Sequence, residues 1–321
     1  MNGDGMNTGP EQVSAVGALY DAAYYESHCG PVPYRRSEPQ WAAIFGTIAE
    51  HLIRAVEPRR VLDVGCALGF LVEAFWDRGV EAWGMDISRY AIENVRPDMR
   101  GYCLLRSAAD GIPNGPFDLI ACIEVLEHMP EQEGLRTLAH MANATNTILF
   151  SSSPYDFDEP THANVRPHMY WLNAFQERGF SPDILFDAGF VAPQAMLLRR
   201  QPVPLPVEVL RLFAGTLDLR HRLAQLGNEV NTTRAELASA REAERLIRED
   251  LDAAAGNISA FLDRGNGDPA FAIESRLRTL ENQVAQTAAA VSSIIDSRIW
   301  RTLVRGAAAV QKLLPGSRRN S

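Results

Sequence analysis

The sequence predicts an α/β fold: a doubly wound, parallel sheet of seven strands with helices on both faces, followed by a C-terminal α-helical coiled-coil region. Three observations predict it. Strand-like apolar runs and helix-like segments alternate from about residue 16 to 200. Two of the runs end in a glycine turn, "DVGCALG", and in an acid about 20 residues later, "WGMDIS", the layout of a nucleotide-binding βαβ unit. Beyond the proline-rich "QPVPLPVEV" (201–209) the apolar period changes to alternating steps of three and four.

Taken in order, residues 1–15 are Gly/Asn-rich and expected to be disordered. The sheet domain follows over 16–200. Strands are expected near 61–65, 81–86, 101–106, 117–123, 146–151, 183–187 and 194–199. Helices are expected near 41–56, 69–78, 88–95, 131–142 and 168–178. A linker over 201–215 and coiled-coil helices over 216–297 come next. The first seam runs Leu219, Leu223, Leu226, Val230, Thr233, Leu237, Ala240, Glu244, Ile247, Leu251, Ala254, Ile258, and a second runs from Ile273 to Ile294. Either an antiparallel hairpin or a parallel dimer satisfies this pattern, and so do two amphipathic helices packed back on the core. The tail, 298–321, carries Arg and Lys without a single acid, and its apolar residues share a helical face. It suits an anionic membrane surface or a partner protein equally.

Hydrophobic content of 46% and charged content of 22% describe a globular chain, and the net charge of −9 argues against a nucleic-acid partner. "MNGDGMNTGPEQ" lacks the basic and apolar regions of a signal peptide, and no apolar run of membrane-spanning length occurs. Cys29, Cys66, Cys103 and Cys122 form no CxxC pair, so reduced thiols and a cytoplasmic location are expected.

The glycine turn carries the first chemistry. Gly65 and Gly69 let the backbone turn sharply and approach a ligand, and Asp86 ends the next strand where a carboxylate accepts from ribose hydroxyls. Asp63 ahead of the glycines, and Cys66 where a dinucleotide site has glycine, disfavour pyrophosphate and suit a ligand with an ammonium group: S-adenosylmethionine.

The second cluster is "FDLIACIEVLEHMP" (117–130). Ligands of doubly wound sheets lie beyond the carboxyl ends of the strands, which places Glu124 to His128 at the site. On one helical turn Glu124, Glu127 and His128 converge, and two carboxylates so close call for a proton or a cation. "SSSPYDFDEPTHANVRPHMYW" (151–171) adds His162 and His168 from a loop facing the same side. Two carboxylates with imidazoles form an O/N set suited to Mg²⁺, Mn²⁺, Zn²⁺ or Fe²⁺.

"VLDVGCALG", "GMDIS" and "FDLIACIEVLEHMP", in this order and at these separations, resemble the class I S-adenosylmethionine-dependent methyltransferases, whose sheet is Rossmann-like. The resemblance covers about residues 20–200. It implies that Asp63, Gly65 and Gly69 line the methionine end of the cofactor, and that Asp86 holds the ribose with Ile87 beside the adenine. It also implies that Ser107 or Ala108 meets the adenine edge, and that Ile123 and Glu124 close the floor near the methyl group. The Glu-x-x-Glu-His run resembles that of ubiquinone-pathway O-methyltransferases and small-RNA 2′-O-methyltransferases. That likeness implies Glu124, Glu127, His128 and a later histidine as ligands of a divalent metal, and "THANVRP" points to His162 over His168. The same run occurs in relatives without a known metal, where the histidine is a base or caps a turn. As metal site or as acid–base site the cluster implies an oxygen acceptor, with His128 or His162 as base and Glu124 beside the methyl; as a turn cap it is structural.

The segment "YDAAYYESHCGPVPYRR" (20–36) resembles the lid of this family. Tyr24, Tyr25, Tyr34 and Arg35 either contact a polyhydroxyl acceptor or pack the first helix. Lid, loop, coiled coil and tail together resemble bacterial enzymes found with glycosyltransferases of surface-polysaccharide or glycolipid assembly. That layout implies a sugar hydroxyl as acceptor, a homo-oligomer through the coiled coil, and a tail held at the inner membrane face or on a glycosyltransferase. The competing expectations are a small-molecule O-methyltransferase acting on a phenol, quinone or natural product, and a non-enzymatic coiled-coil scaffold.

Overall fold

The structure is a computed structural model and describes residues 16–30 and 32–264, with isolated helical positions between 278 and 289. The expected disorder of 1–15, the second seam and the basic tail lie outside the described residues. The chain divides into two compact units, Met1–Arg222 and Leu223–Ser321.

The first unit is built on seven strands: β1 (Arg60–Val64), β2 (Glu81–Asp86), β3 (Cys103–Leu105), β4 (Leu119–Ile123), β5 (Thr147–Ser151), β6 (Phe180–Pro182) and β7 (Met196–Arg200). Their order is β3-β2-β1-β4-β5-β7-β6. β1 to β5 pair in parallel, and β7 runs antiparallel to both β5 and β6. The all-parallel expectation fails at β7 because no helix joins β6 to β7, and a return without a crossover is antiparallel. The order reverses between β1 and β4, and this switch point opens the crevice where ligands bind.

The helices are α1 (Ala22–Ser27), α2 (Pro39–Val56), α3 (Phe70–Trp76), α4 (Arg89–Glu93), α5 (Glu131–Ala144), α6 (His168–Gln176) and α7 (Val207–Arg264). Pro39 opens α2, whose buried face is Gly46, Ile48, Ala49 and Leu52. The Ser88 hydroxyl caps α4 by accepting from Ala91 N–H at 3.0 Å. One core layer lies on each face of the sheet. Ile120, Phe150, Trp171 and Phe175 centre one; Leu52, Leu71, Phe75, Leu119 and Leu197 centre the other.

Two boundaries differ from expectation. The strand placed at 183–187 lies instead at Phe180–Pro182, and the apolar run that suggested it is a surface loop with Leu185 93% exposed. The stretch expected as a linker over 201–215 is helical from Val207, just after Pro206. The first turns of α7 belong to the sheet domain: Leu210, Ala214 and Leu217 are buried in its core. Leu217→Ala should therefore cost about 2–5 kcal/mol, as truncation of a fully buried leucine does, read by denaturant unfolding. A chain cut after Arg222 should keep a cooperative transition that a chain cut after Gln201 lacks.

In the second unit the first seam is helical. Its column Leu223, Val230, Leu237, Leu251 and Ile258 stays 44–59% exposed, while Ala254 is buried. No described helix is long and apolar enough to cross a membrane.

Candidate active site

The glycine turn lies between β1 and α3, in the crevice. Gly65 and Gly69 both adopt positive φ, 75° and 76°, and a Cβ on Gly65 would stand 2.4 Å from Val125 Cγ2. Asp86 organises the turn from β2. Its Oδ2 accepts from Ala67 N–H at 2.8 Å and its Oδ1 from Ser88 N–H at 2.7 Å. Burial pushes the Asp63 and Asp86 carboxyls above their ordinary range; for Asp63 the Asp86 charge adds to it, and for Asp86 backbone N–H groups oppose it. A buried acid, Asp63, with the half-buried Asp86 acting on it favours a cationic occupant, and a sulfonium with its α-ammonium is one. Ser107 caps the short turn after β3 by accepting from Ala109 N–H, Ile87 packs against the lid, and Ile123 ends β4 on the other core layer.

After β4 the chain makes a tight 3₁₀ turn, Leu126–His128, rather than an α-helical one. Glu124 precedes it with φ 53°, so helical spacing does not carry it to the face shared by Glu127 and His128. Its Oε1 accepts from Gln194 Nε2 at 2.9 Å. The cluster that does form is Glu127, His128 and His162, whose donor atoms lie within 4.8 Å of one another. Glu124 is outside this group, though its carboxyl lies against that of Glu127.

The loop after β5 is stitched to the turn by backbone. Ala163 N–H and Asn164 N–H both donate to the Glu127 carbonyl at 2.8 Å, and Asn164 Nδ2 donates to the Leu126 carbonyl at 3.3 Å. This brings the His162 ring to 4.6 Å from that of His128. Each imidazole is held by Nδ1: His162 on the Asp156 carbonyl at 2.7 Å, His128 on the Thr161 hydroxyl at 3.0 Å. Nε2 of each is left for a ligand. Glu127 is fully buried; its Oε1 accepts from Ser153 N–H at 3.0 Å, and its Oε2 has no hydrogen-bond partner. Burial, then the adjacent Glu124, push its carboxyl well up. An orphaned buried carboxylate oxygen beside two imidazoles held by Nδ1 is a donor set that fits a divalent cation.

His168 is elsewhere. It is buried, with Nδ1 on Asp218 of α7 at 2.8 Å, and the same carboxylate oxygen accepts from Tyr155 at 2.6 Å. It fastens α6 to α7.

The lid divides by role. Tyr25 and Tyr34 are buried with Leu68 and Phe70, and Arg35 pairs with Glu26 and Glu38 on the surface, so these three pack the lid. Tyr20 and Tyr24 instead set their ring edges toward His128, at 5.7 and 6.4 Å between centroids, and Tyr24 stacks on His28. Sequence reasoning missed Tyr20, Gln194, Glu159 and Arg36. Only Glu159, two residues before "TH", carried a signal. Arg36 clamps the lid to α3 through Glu73, the Leu68 carbonyl and the Asn94 carbonyl.

Burial, then the neighbouring His162 ring, push His128 down to about 4. An unfolded chain takes up that proton near pH 6.5, the folded one not until about 4. The corresponding stability is present above pH 6.5 and is lost as pH falls toward 4, about 3 kcal/mol in all. Thermal melts of EDTA-treated protein should show this fall, and His128→Gln should flatten it.

Residues 40–183, which carry this sheet and crevice, match the family model described as a methyltransferase domain. These residues form a methyltransferase domain. An ubiquinone biosynthesis O-methyltransferase from Azoarcus sp. (strain BH72) is 35% identical over 107 residues, 31% of this chain and 46% of that protein. Another of the same name, from Idiomarina loihiensis, is 31% identical over 29% of this chain and 42% of its own length. The chain thus spans about half the length of the curated relatives it matches. Among solved structures, magnesium protoporphyrin IX methyltransferase from Synechocystis PCC 6803 with bound SAM has a TM-score of 0.43 at 16% identity, covering 58% of this chain and 97% of that one.

Proposed function

We propose that the chain is an S-adenosylmethionine-dependent O-methyltransferase whose acceptor hydroxyl is activated at a divalent-metal site formed by Glu127, His128 and His162. The observation that carries this reading is the cluster itself: the buried Glu127 carboxylate, one oxygen of which has no hydrogen-bond partner, lies within 4.8 Å of two imidazoles that are each held by Nδ1. The name of the curated relatives supports an oxygen acceptor.

Methyl transfer needs the nucleophile, methyl and sulfur aligned. Asp63 and Asp86 hold the cationic and ribose ends of the cofactor, and the glycine turn brings the backbone close. An alcohol must also lose its proton, and a divalent ion, when bound, supplies the acidity for that. Glu127 and the two histidines would hold the ion. Glu124, steadied by Gln194, borders Glu127 and shapes the floor. Tyr20, Tyr24 and His28 form an aromatic wall by His128, suited to the apolar face of a sugar ring. The acceptor we favour is accordingly a sugar hydroxyl of a surface glycan or glycolipid. The relatives' name favours a second reading, a phenol or quinone.

Titration of S-adenosylhomocysteine into the full chain, with and without EDTA and with metals assayed on the same sample, tests the reading. Binding with about one divalent ion, lost in His162→Ala, is expected. Binding without metal leaves His128 as a base and removes the ion; no binding removes the enzyme. Glycan and phenolic acceptors then separate the two substrate classes. The exposed column of α7 fits a second copy of the same helix, and sedimentation velocity that finds a monomer at every concentration would remove that partner.

A further inference from the structure

His162 and His128 are both held by Nδ1, but by different means. The His162 partner is a backbone carbonyl, which only accepts, so its ring carries the proton on Nδ1 and its lone pair on Nε2. The partner of His128 is the Thr161 hydroxyl, at 3.0 Å, which can donate or accept. Which of the two it does decides whether Nε2 of His128 is a ligand or an N–H.

Glu159 settles the direction. Its Oε1 accepts from the Thr161 backbone N–H at 3.4 Å, so that oxygen is an acceptor, and the Thr161 hydroxyl lies 3.0 Å from the same atom. A hydroxyl has one proton. Given to Glu159, it leaves only lone pairs toward the ring, and His128 must then carry its proton on Nδ1. The Tyr24 phenol lies close to the same hydroxyl. The Thr161 hydroxyl thus bridges the loop acid and the histidine.

We propose that Glu159 and Thr161 are positioning residues that lock His128 in the Nδ1–H tautomer and so present its Nε2 lone pair to the cluster with Glu127 and His162. Neither residue touches the cofactor crevice chemistry directly; each acts through the imidazole. Groups that donate to or accept from the far nitrogen of a ligating histidine set its tautomer, its orientation and its basicity. The proposal rests on the metal reading of the site for its purpose, but the tautomer itself is a property of the metal-free chain.

The test uses the full chain labelled with ¹⁵N-histidine and stripped with EDTA. Long-range ¹H–¹⁵N spectra report the tautomer, and His128→Gln assigns the resonance. The wild type should show His128 as Nδ1–H. Thr161→Val, which keeps the shape and removes the hydroxyl, and Glu159→Ala, which frees the hydroxyl to donate to Nδ1, should each move the ring toward Nε2–H. Thr161→Ser should keep Nδ1–H, so a disrupted loop is told apart from a lost relay. Titration of Mn²⁺ or Zn²⁺ into the same proteins should weaken about 10- to 100-fold in Thr161→Val and Glu159→Ala. Retention of Nδ1–H in both variants overturns the proposal and gives the role to the Thr161 backbone, which the His128 ring also reaches. If the wild type binds no metal yet the tautomer shifts as described, the relay stands and the metal reading falls.

Discussion

Glu127→Gln should make the metal-free protein more stable, by about 1–3 kcal/mol, while removing its divalent ion and lowering methyl transfer about 100- to 10,000-fold. The two effects share one cause. Glu127 is fully buried, and only one of its oxygens has a donor, the Ser153 N–H. Ionising it in the empty site costs desolvation and repulsion from Glu124, which is why its carboxyl is held well above the usual range. A raised carboxyl makes stability fall as pH rises above about 4.5, where the unfolded chain gives up the proton first. Glutamine keeps the Ser153 contact and the volume without the charge. Melts with EDTA from pH 4.5 to 8, alongside metal assay and turnover, check both arms. A variant that is less stable and still loads metal would make Glu127 a packing residue.

Gly65→Ala should weaken S-adenosylhomocysteine binding about 30- to 1,000-fold and destabilise the domain by about 2–4 kcal/mol. At φ 75° an alanine is strained, and its Cβ would meet Val125 Cγ2 at 2.4 Å. Val125 lies between Glu124 and the Leu126–His128 turn, so moving it disturbs the metal-facing cluster as well as the cofactor crevice. Gly79→Ala is the control. Its φ is 78°, but a Cβ there meets nothing within 4 Å, so only backbone strain, about 1 kcal/mol, should appear. Calorimetric titration with denaturant unfolding on both variants separates strain from collision.

What could be read in the sequence was what local pattern and spacing control. β1, β2 and β4 are short buried runs, and the glycine turn and Asp86 sit at a separation that one βαβ unit imposes. Glu127, His128 and His162 were legible because the carboxyl ends of strands converge in this fold. Glu124 meets the Glu127 carboxyl as expected, but from a left-handed backbone position rather than from one helical turn, and it stays outside the group formed with the two histidines. The strand expected at 183–187 was an apolar run left on the surface, while the true β6 contains Pro182, a residue that argues against a strand. The start of α7 was hidden by the prolines before it, the last of which is placed to open a helix. Gln194 and Arg36 act through partners 70 and 37 positions away, and no local pattern announces that.

The lid is fastened at both ends to the elements that receive the cofactor. Arg36 ties its far end to α3, and at its near end the Ser88 hydroxyl, which also caps α4 beside Asp86, donates to the Tyr20 carbonyl at 2.5 Å. On the proposed function, a spent cofactor has to pass this strap, so the hold of its two anchors would set how long the cofactor stays. Speed and retention would then be opposed: Arg36→Ala is expected to shorten the residence time of S-adenosylhomocysteine and raise its dissociation constant together.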